Sequence, residues 1–222
     1  MSPTQNIIHS LRFFSSLNEG QMEQLGSICS VANYKKEYVL HYEKSKTDRL
    51  LFLVEGLAKA YRMDKHDNET FLYHIYQDRM LSELSTFEDD QLVSYSNIML
   101  IEDSKILSID YPKFKRYFLD NGILCTELAK EVIIKSKQLQ DLVDREIIFD
   151  SVSKVAMMLD TDISMFNRLK RYDVSAMLHI QPATLSRVLN RLKRDAIIDI
   201  FHGEVKILQR EKLTKIYKGD RA

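Results

Sequence analysis

Cysteine is scarce in this chain: its 222 residues include only Cys29 and Cys125. Two thiols so far apart cannot build a disulfide framework, a four-thiolate zinc site or an iron–sulfur cluster held by cysteine alone. Long apolar runs are missing as well. No window approaches the ~20 uninterrupted apolar residues that a membrane span needs, and Met1 to Asn6 is polar with no apolar signal core behind it. The expectation is therefore a cytoplasmic protein with no membrane partner. Net charge is also absent, with 32 Lys+Arg against 32 Asp+Glu. What is present is an ordinary globular composition, 45% apolar and 29% charged, long enough for one large domain or two small ones with a real core.

The balanced total hides an asymmetry. From Asp150 to Ala222 there are 14 Lys/Arg and 9 Asp/Glu, whereas residues 1–149 hold 18 and 23. Phosphate contact depends on local rather than total charge, so the C-terminal part is the one suited to a polyanion. Shifts of this size also arise by chance, and the asymmetry alone does not decide the matter.

The chain opens with Ile7, Ile8, Leu11, Phe13, Phe14 and Leu17, then Met22, Leu25 and Ile28, at spacings that suit short helices. The period then changes. Residues 38–42, 50–54, 57–62, 70–75 and 96–101 are short segments rich in β-branched and aromatic residues, separated by turn chemistry such as Glu55-Gly56 and residues 64–68. They predict a small barrel or sandwich. Helix and strand do not alternate, which disfavours a doubly wound nucleotide fold.

After Asn121-Gly122, Cys125, Leu128, Val132, Lys135, Leu139, Leu142 and Glu146 recur at steps of three and four, with no Gly or Pro between them. The spacing predicts one long helix over 121–149 with a partner-facing seam; a helix packed on its own domain is the alternative. On a dimer seam Lys135 would have to snorkel or meet an acceptor, and Cys125 reads as a small buried hydrophobe.

The most informative segment is 173–192. Asp173 is a good N-cap for a short helix with Val174, Met177 and Leu178 on its apolar face. His179 to Gln181 makes a tight turn, and Pro182 stands where a second helix begins, a position that needs no amide. Leu185, Val188, Leu189 and Leu192 bury one face of that helix, leaving Thr184, Ser186, Arg187, Asn190, Arg191 and Arg194 on the others. This is a helix-turn-helix whose second helix enters the major groove of double-stranded DNA, where the Arg187 fork can pair with guanine O6 and N7. Residues 196–201 and 205–208, around His202-Gly203-Glu204, predict a wing of two strands.

The order of these parts resembles the Crp-Fnr family of bacterial regulators over nearly the whole chain. Residues 50–56 resemble the strand and glycine turn early in the family's effector barrel. Residues 80–88 resemble its phosphate cassette, and Thr184-Leu185-Ser186-Arg187-Val188-Leu189 matches its recognition helix. The resemblance implies an α+β chain in three parts. A cyclic-nucleotide-binding-like β-barrel (jelly roll) with N-terminal helices covers 1–120, a long dimerisation helix 121–149, and a winged helix-turn-helix 150–222. It implies no enzyme, but a homodimer that binds a palindromic operator through Gln181, Pro182, Thr184, Ser186, Arg187, Asn190 and Arg191. RNA polymerase is the implied protein partner, and the barrel is expected to sense a small-molecule or gas effector.

The departures bear on that effector. Glu83 and Ser94 match the family's effector-binding residues, but Asp78 and Ser82 stand where glycines are usual, and Val93 stands in place of the phosphate-binding arginine. Leu139-Gln140 replaces the hydroxyl residues that face the base. A desolvated cyclic phosphate would lack its strongest partner, so cyclic AMP is not the expected effector and Glu83 can equally serve as a brace. An iron–sulfur cluster is not expected, with Cys29 alone in the N-terminal part. A haem gas or redox sensor stays open, with His9, His41, His66 and His74 as candidate ligands, none of them at a matching motif. In the recognition helix, Ala183 replaces a usual Glu, which predicts an operator unlike the common half-site. His179 replaces a glycine in the turn, at a place that calls for positive φ. The alternative from another class is a cupin-like metal-dependent enzyme using His41, Glu43 and His74, which lack the His-x-His spacing.

Overall fold

The computed structural model describes residues 3–67, 69–84 and 87–219. Ser85 and Thr86 of the cassette-like segment, and Asn68 of the turn after residue 64, lie outside them. The chain forms two compact units, Met1–Leu139 and Gln140–Ala222.

The first unit begins with helices α1 (Pro3–Ser10) and α2 (Glu19–Gly26), joined through a short 3₁₀ turn at Arg12–Phe14. Asn18 opens α2 with a reciprocal capping box to Gln21. The strands that follow among the described residues are β1 (Cys29–Tyr34), β2 (Val39–His41), β3 (Lys46–Thr47), β4 (Arg49–Glu55), β5 (Leu57–Met63), β6 (Glu69–Tyr76), β7 (Arg79–Met80), β8 (Leu92–Val93), β9 (Asn97–Leu100) and β10 (Ser104–Asp110). They pair antiparallel as two four-stranded sheets, β1-β10-β4-β7 and β2-β9-β5-β6, with β3-β8 as a small third pair.

The apolar run of β4 shows how the layers are built. Side chains alternate across a strand, so Leu51 and Leu53 join Ala58, Ala60, Ile98 and Leu100 in the core between the sheets. Leu50 and Phe52 face the other way, against Phe13 and Phe14, Leu25 and the helix that follows β10. A strand covered on both faces reads as a continuous hydrophobic run. That helix, α3 (Tyr111–Tyr117), is capped by Asp110, whose carboxylate accepts from the Lys113 amide, and contributes the buried Tyr111 and Phe114.

The predicted helix over 121–149 forms over a shorter span and changes to π-helical geometry at its end. After Gly122 at φ 72° and Leu124 at φ 63°, α4 runs from Cys125 to Val143, and one π-helical turn occupies Asp144–Ile148.

The second unit contains α5 (Ser151–Arg168), α6 (Arg171–Met177), α7 (Pro182–Arg194), the hairpin β11 (Ile198–Phe201) and β12 (Glu204–Ile207), and α8 (Arg210–Lys218). Asp150 caps α5 through the Ser153 amide. At Asp162 the backbone leaves helical geometry (φ −150°, ψ 60°), and the Asp162 carboxylate caps the resumed helix by accepting from the Met165 amide. Phe166, Val174, Leu178, Leu185, Leu192, Ile198 and Leu213 belong to the buried core.

Asp160 binds α8 to α5. Its carboxylate accepts from Arg210 Nε at 2.7 Å, Thr214 Oγ1 at 2.9 Å and Tyr217 Oη at 2.8 Å. Burial works to raise the Asp160 carboxyl, but the bonds from Tyr217, Thr214 and Arg210 outweigh it and hold it below the usual aspartate range. Burial and Asp160 together push the Tyr217 phenol up to about 12. With the folded value below the unfolded one, this stabilisation is full above the unfolded pKa near ~4 and is lost as pH falls through the folded value. Asp160→Asn is expected to cost roughly 1–3 kcal/mol at neutral pH. Urea unfolding across the acid range should show the variant's disadvantage shrinking below about pH 4, and a constant difference would refute the assignment.

Candidate nucleic-acid interface and barrel interior

The helix-turn-helix is assembled from local rules. α6 starts two residues before the predicted Asp173, at Arg171, with Lys170 as an N-cap that makes no side-chain bond. Asp173 therefore sits in the first turn, where a carboxylate still favours the helix N-terminus. The turn follows from backbone bonds: His179 N donates to Ala176 O at 3.1 Å and Ile180 N to Ser175 O at 3.0 Å, with His179 at φ 51°. This is the positive φ expected for the position. His179 Nδ1 also lies 2.9 Å from Glu146 Oε2, while Arg145 Nε donates to Glu146 Oε1 at 3.0 Å. Burial works to raise the Glu146 carboxyl, and these partners more than reverse it.

Pro182 occupies the first turn of α7 with Gln181 as N-cap. Leu185, Val188, Leu189 and Leu192 are all buried, as the spacing predicts. On the opposite side Gln181, Pro182, Ser186, Arg187, Asn190 and Arg191 are exposed and Thr184 is half-buried. Arg191 lies 3.9 Å from Asp195, too long for a strong pair, and Arg187 forms no ion pair among the described residues. The donors of this face are unspent.

The wing is fastened by two side chains that no local pattern singled out. Asn167 acts as an extra strand edge, its Nδ2 donating to Val205 O at 3.0 Å and its Oδ1 accepting from Val205 N at 2.9 Å. Arg171 lies 4.4 Å over the Phe166 ring and donates to Phe166 O at 3.1 Å and to Gly203 O at 2.5 Å.

In the first unit, Glu83 and Ser94 do come together. Glu83 Oε2 accepts from the amides of Tyr95 and Ser96 at 2.5 and 3.2 Å, and Ser94 Oγ stands 3.4 Å away. Glu83 Oε1 accepts from Tyr73 Oη and Ser96 Oγ, both at 3.1 Å. Burial and the Glu83 charge push the Tyr73 phenol well up.

The predicted seam residues divide between two faces of α4. Leu128 is buried in the core of its own unit. Glu131 is buried and pairs with Arg79 at 3.1 Å, Lys135 Nζ lies 5.9 Å from the Tyr73 ring centre, and Gln138 Nε2 donates to His74 O at 3.1 Å. Positions 128, 131, 135 and 138 thus line the barrel side. Burial lowers the Lys135 ammonium from the usual lysine range, opposed by Glu83 and Glu131. Val132 and Leu139 are exposed, joined by Ile133 and Val143, while Leu142 is half-buried. Cys125 is exposed rather than buried, with Sγ 3.7 Å from Leu119 O. Cys29 is half-buried, and burial raises its thiol to about 12.

The four candidate histidines are dispersed. His9 is exposed on α1 and His66 in the turn after β5, whereas His41 and His74 are buried. The register places His41 beside Ile98 and His74 beside Lys59, on opposite faces of one sheet. Glu43 is committed to Arg62 at 2.5 Å. The residues of the cupin-like alternative therefore do not converge, and among the described residues no three His, Cys, Asp or Glu side chains could hold a metal ion. No helix among them is long and apolar enough to cross a membrane.

No curated relative matches the chain by sequence. Two domain families match it: the cyclic nucleotide-binding domain over residues 31–121 and the Crp-like helix-turn-helix domain over 153–216. Among solved structures, a CooA mutant from Carboxydothermus hydrogenoformans aligns with TM-score 0.72 at 16% identity, covering 94% of this chain and 96% of that one. FixK2 from Bradyrhizobium japonicum aligns with TM-score 0.64 at 15% identity, covering 85% and 97%. The c-di-GMP responsive regulator CLP from Xanthomonas campestris aligns with TM-score 0.61 at 14% identity, covering 86% and 99%. The two sheets carry the first matched domain, and α6, α7 and the β11–β12 wing carry the second, in the order that the sequence predicts: the chain belongs to the Crp-Fnr family of DNA-binding transcription regulators.

Proposed function

We propose that the protein acts in the cytoplasm as a homodimer on a near-palindromic operator, with α7 of each subunit in successive major grooves about one helical turn apart. Residues 150–222 bind DNA, residues 121–149 dimerise and residues 1–120 form the sensing barrel. The observation that carries this reading is the unspent face of α7. Four apolar side chains anchor the helix, while exposed Ser186, Arg187 and Asn190 present donors with no partner among the described residues. Arg187 is assigned to a guanine, Gln181 and Thr184 to neighbouring bases, and Pro182, Ser186, Asn190 and Arg191 to the surrounding contact surface.

Dimerisation is assigned to the exposed stripe of Val132, Leu139 and Val143, continued by half-buried Leu142. Apolar side chains spaced in this way along one helix suit a helix partner. Leu128 and Lys135 are withdrawn from the seam, because both face their own barrel. RNA polymerase is the protein partner on the promoter. An effector that acts through the barrel is not cyclic AMP, since Val93 supplies no guanidinium to a phosphate; a population shift then needs a ligand that favours the DNA-binding arrangement.

Arg187→Ala is expected to weaken binding to the selected operator by roughly 1–3 kcal/mol, about 5- to 150-fold, and to relax preference at one position of each half-site. The measurement is selection from a random duplex pool by the full-length protein, followed by titration of the enriched duplex and of random DNA. Equal losses on both duplexes would reassign Arg187 to phosphate contact. Absence of an inverted repeat would overturn the dimeric-operator reading.

A further inference from the structure

The barrel contains an anion of its own. Two consecutive amides, Tyr95 N and Ser96 N, converge on Glu83 Oε2, while Ser96 Oγ and Tyr73 Oη close on Oε1. Successive backbone N–H groups directed at one point make an anion cradle, and bonds to a charged acceptor are roughly twice as strong as neutral ones. Ser94 Oγ stands 3.4 Å from Oε2, with its shorter bond, 2.8 Å, given to Ser96 O. Lys135 brings positive charge from α4 to 5.9 Å from the ring centre of Tyr73, whose phenol donates to Glu83, and Glu83 and Glu131 are the carboxylates that oppose the effect of burial on it. His41, on the same cross-strand row as Ile98, Ala60 and Tyr73, is buried with Nε2 unpartnered, and it too feels the charge of Glu83.

We propose that Glu83 is the resident ligand of this barrel: its carboxylate fills the cradle of Tyr73, Tyr95 and Ser96 without a small molecule, and the charge of Lys135 on α4 supports it there. The cradle fits a compact carboxylate or phosphate, and a diffusible anion enters only where Glu83 leaves. This goes beyond the regulator reading, and its test does not depend on DNA binding.

The test is thermal unfolding of the full-length protein in sodium acetate or sodium phosphate, against sodium chloride at equal ionic strength. Glu83→Ala is expected to lower the barrel's melting temperature by roughly 5–10 °C, the size of effect expected from losing a half-buried charge with several hydrogen bonds. Acetate or phosphate should restore part of the loss. Wild-type protein should gain nothing beyond chloride, and Glu83→Ala combined with Lys135→Met should not be rescued. Wild-type stability in Glu83→Ala, a failure of both anions to rescue it, or an equal gain in wild type would each overturn the proposal. Should Glu83→Ala not fold, Glu83→Gln retains the shape without the charge. The Lys135 ammonium, followed by NMR, is then expected to titrate lower than in wild type, and an unchanged titration would overturn the proposal.

Discussion

Replacing Gly56 with alanine is expected to destabilise the barrel unit by roughly 2–6 kcal/mol, the sum of a backbone and a packing cost. Gly56 sits between β4 and β5 at φ +106°, a region that L side chains rarely adopt. A Cβ there would meet Ser104 Oγ at 2.2 Å, Ser104 Cβ at 2.8 Å and Asp103 O at 3.0 Å. Rotating the Ser104 hydroxyl relieves only the first of these contacts. Ser104 is itself buried, opens β10 and pairs with Tyr34 of β1, so the strand cannot retreat without breaking the ladder. Against a typical margin of roughly 5–15 kcal/mol, such a loss leaves the unit marginal. Urea unfolding of the full-length protein, analysed as two transitions, should show the barrel midpoint fall while that of the second unit holds. Ser104→Gly in the Gly56→Ala background should recover the steric part in a double-mutant cycle. A loss under about 1 kcal/mol would mean that the turn relaxes and that neither cost is real.

Phe166→Ala is expected to cost the second unit roughly 3–5 kcal/mol. The side chain is fully buried on α5, and its ring also carries the Arg171 guanidinium 4.4 Å from its centre. Truncation removes the transfer free energy of the ring, leaves a cavity and unseats an arginine that also holds the Gly203 carbonyl of the wing. The unit is small and has little other core to absorb the loss. Thermal unfolding by circular dichroism should show its transition falling by more than about 10 °C, at about 4–8 °C per kcal/mol for a domain of this size. Operator binding should be lost at temperatures where the barrel remains folded. Phe166→Leu should retain most of the stability but loosen Arg171. An alanine variant that melts within a few degrees of wild type would show that the core closes over the gap.

The helix-turn-helix was legible because its determinants are local. Pro182 at the first turn of α7, the 3–4 spacing of Leu185, Val188, Leu189 and Leu192, and the positive φ at His179 each depend on neighbours a few residues away. The strands at β4, β5, β6 and β9 were legible for the same reason. β1 and β10 were not. They pair Cys29 with Ile109 and Tyr34 with Ser104, partners some seventy residues or more apart, and β1 carries no strong apolar alternation of its own. α3 went unread although Asp110 caps it, because the preceding strand runs directly into the cap.

The heptad on α4 marks the limit of such reading. Spacing alone predicts a helix with one favoured face, and a helix formed, but which residues point at a partner depends on what else packs on it. The barrel takes Leu128, Glu131, Lys135 and Gln138, so an apparent seam charge becomes an interior one. Glu83 follows the same logic. As a residue it matches a family position, but its partners lie 10 to 13 residues away, on β6 and in the connection between β8 and β9, and only folding brings two amides, a phenol and a hydroxyl onto one carboxylate. By itself the sequence determined the strands β4, β5, β6 and β9 and the helix-turn-helix, because propensity, periodicity and capping act over a few residues. The tertiary structure alone decided which charges are buried and what neutralises them, because burial and long-range pairing are properties of the assembled fold.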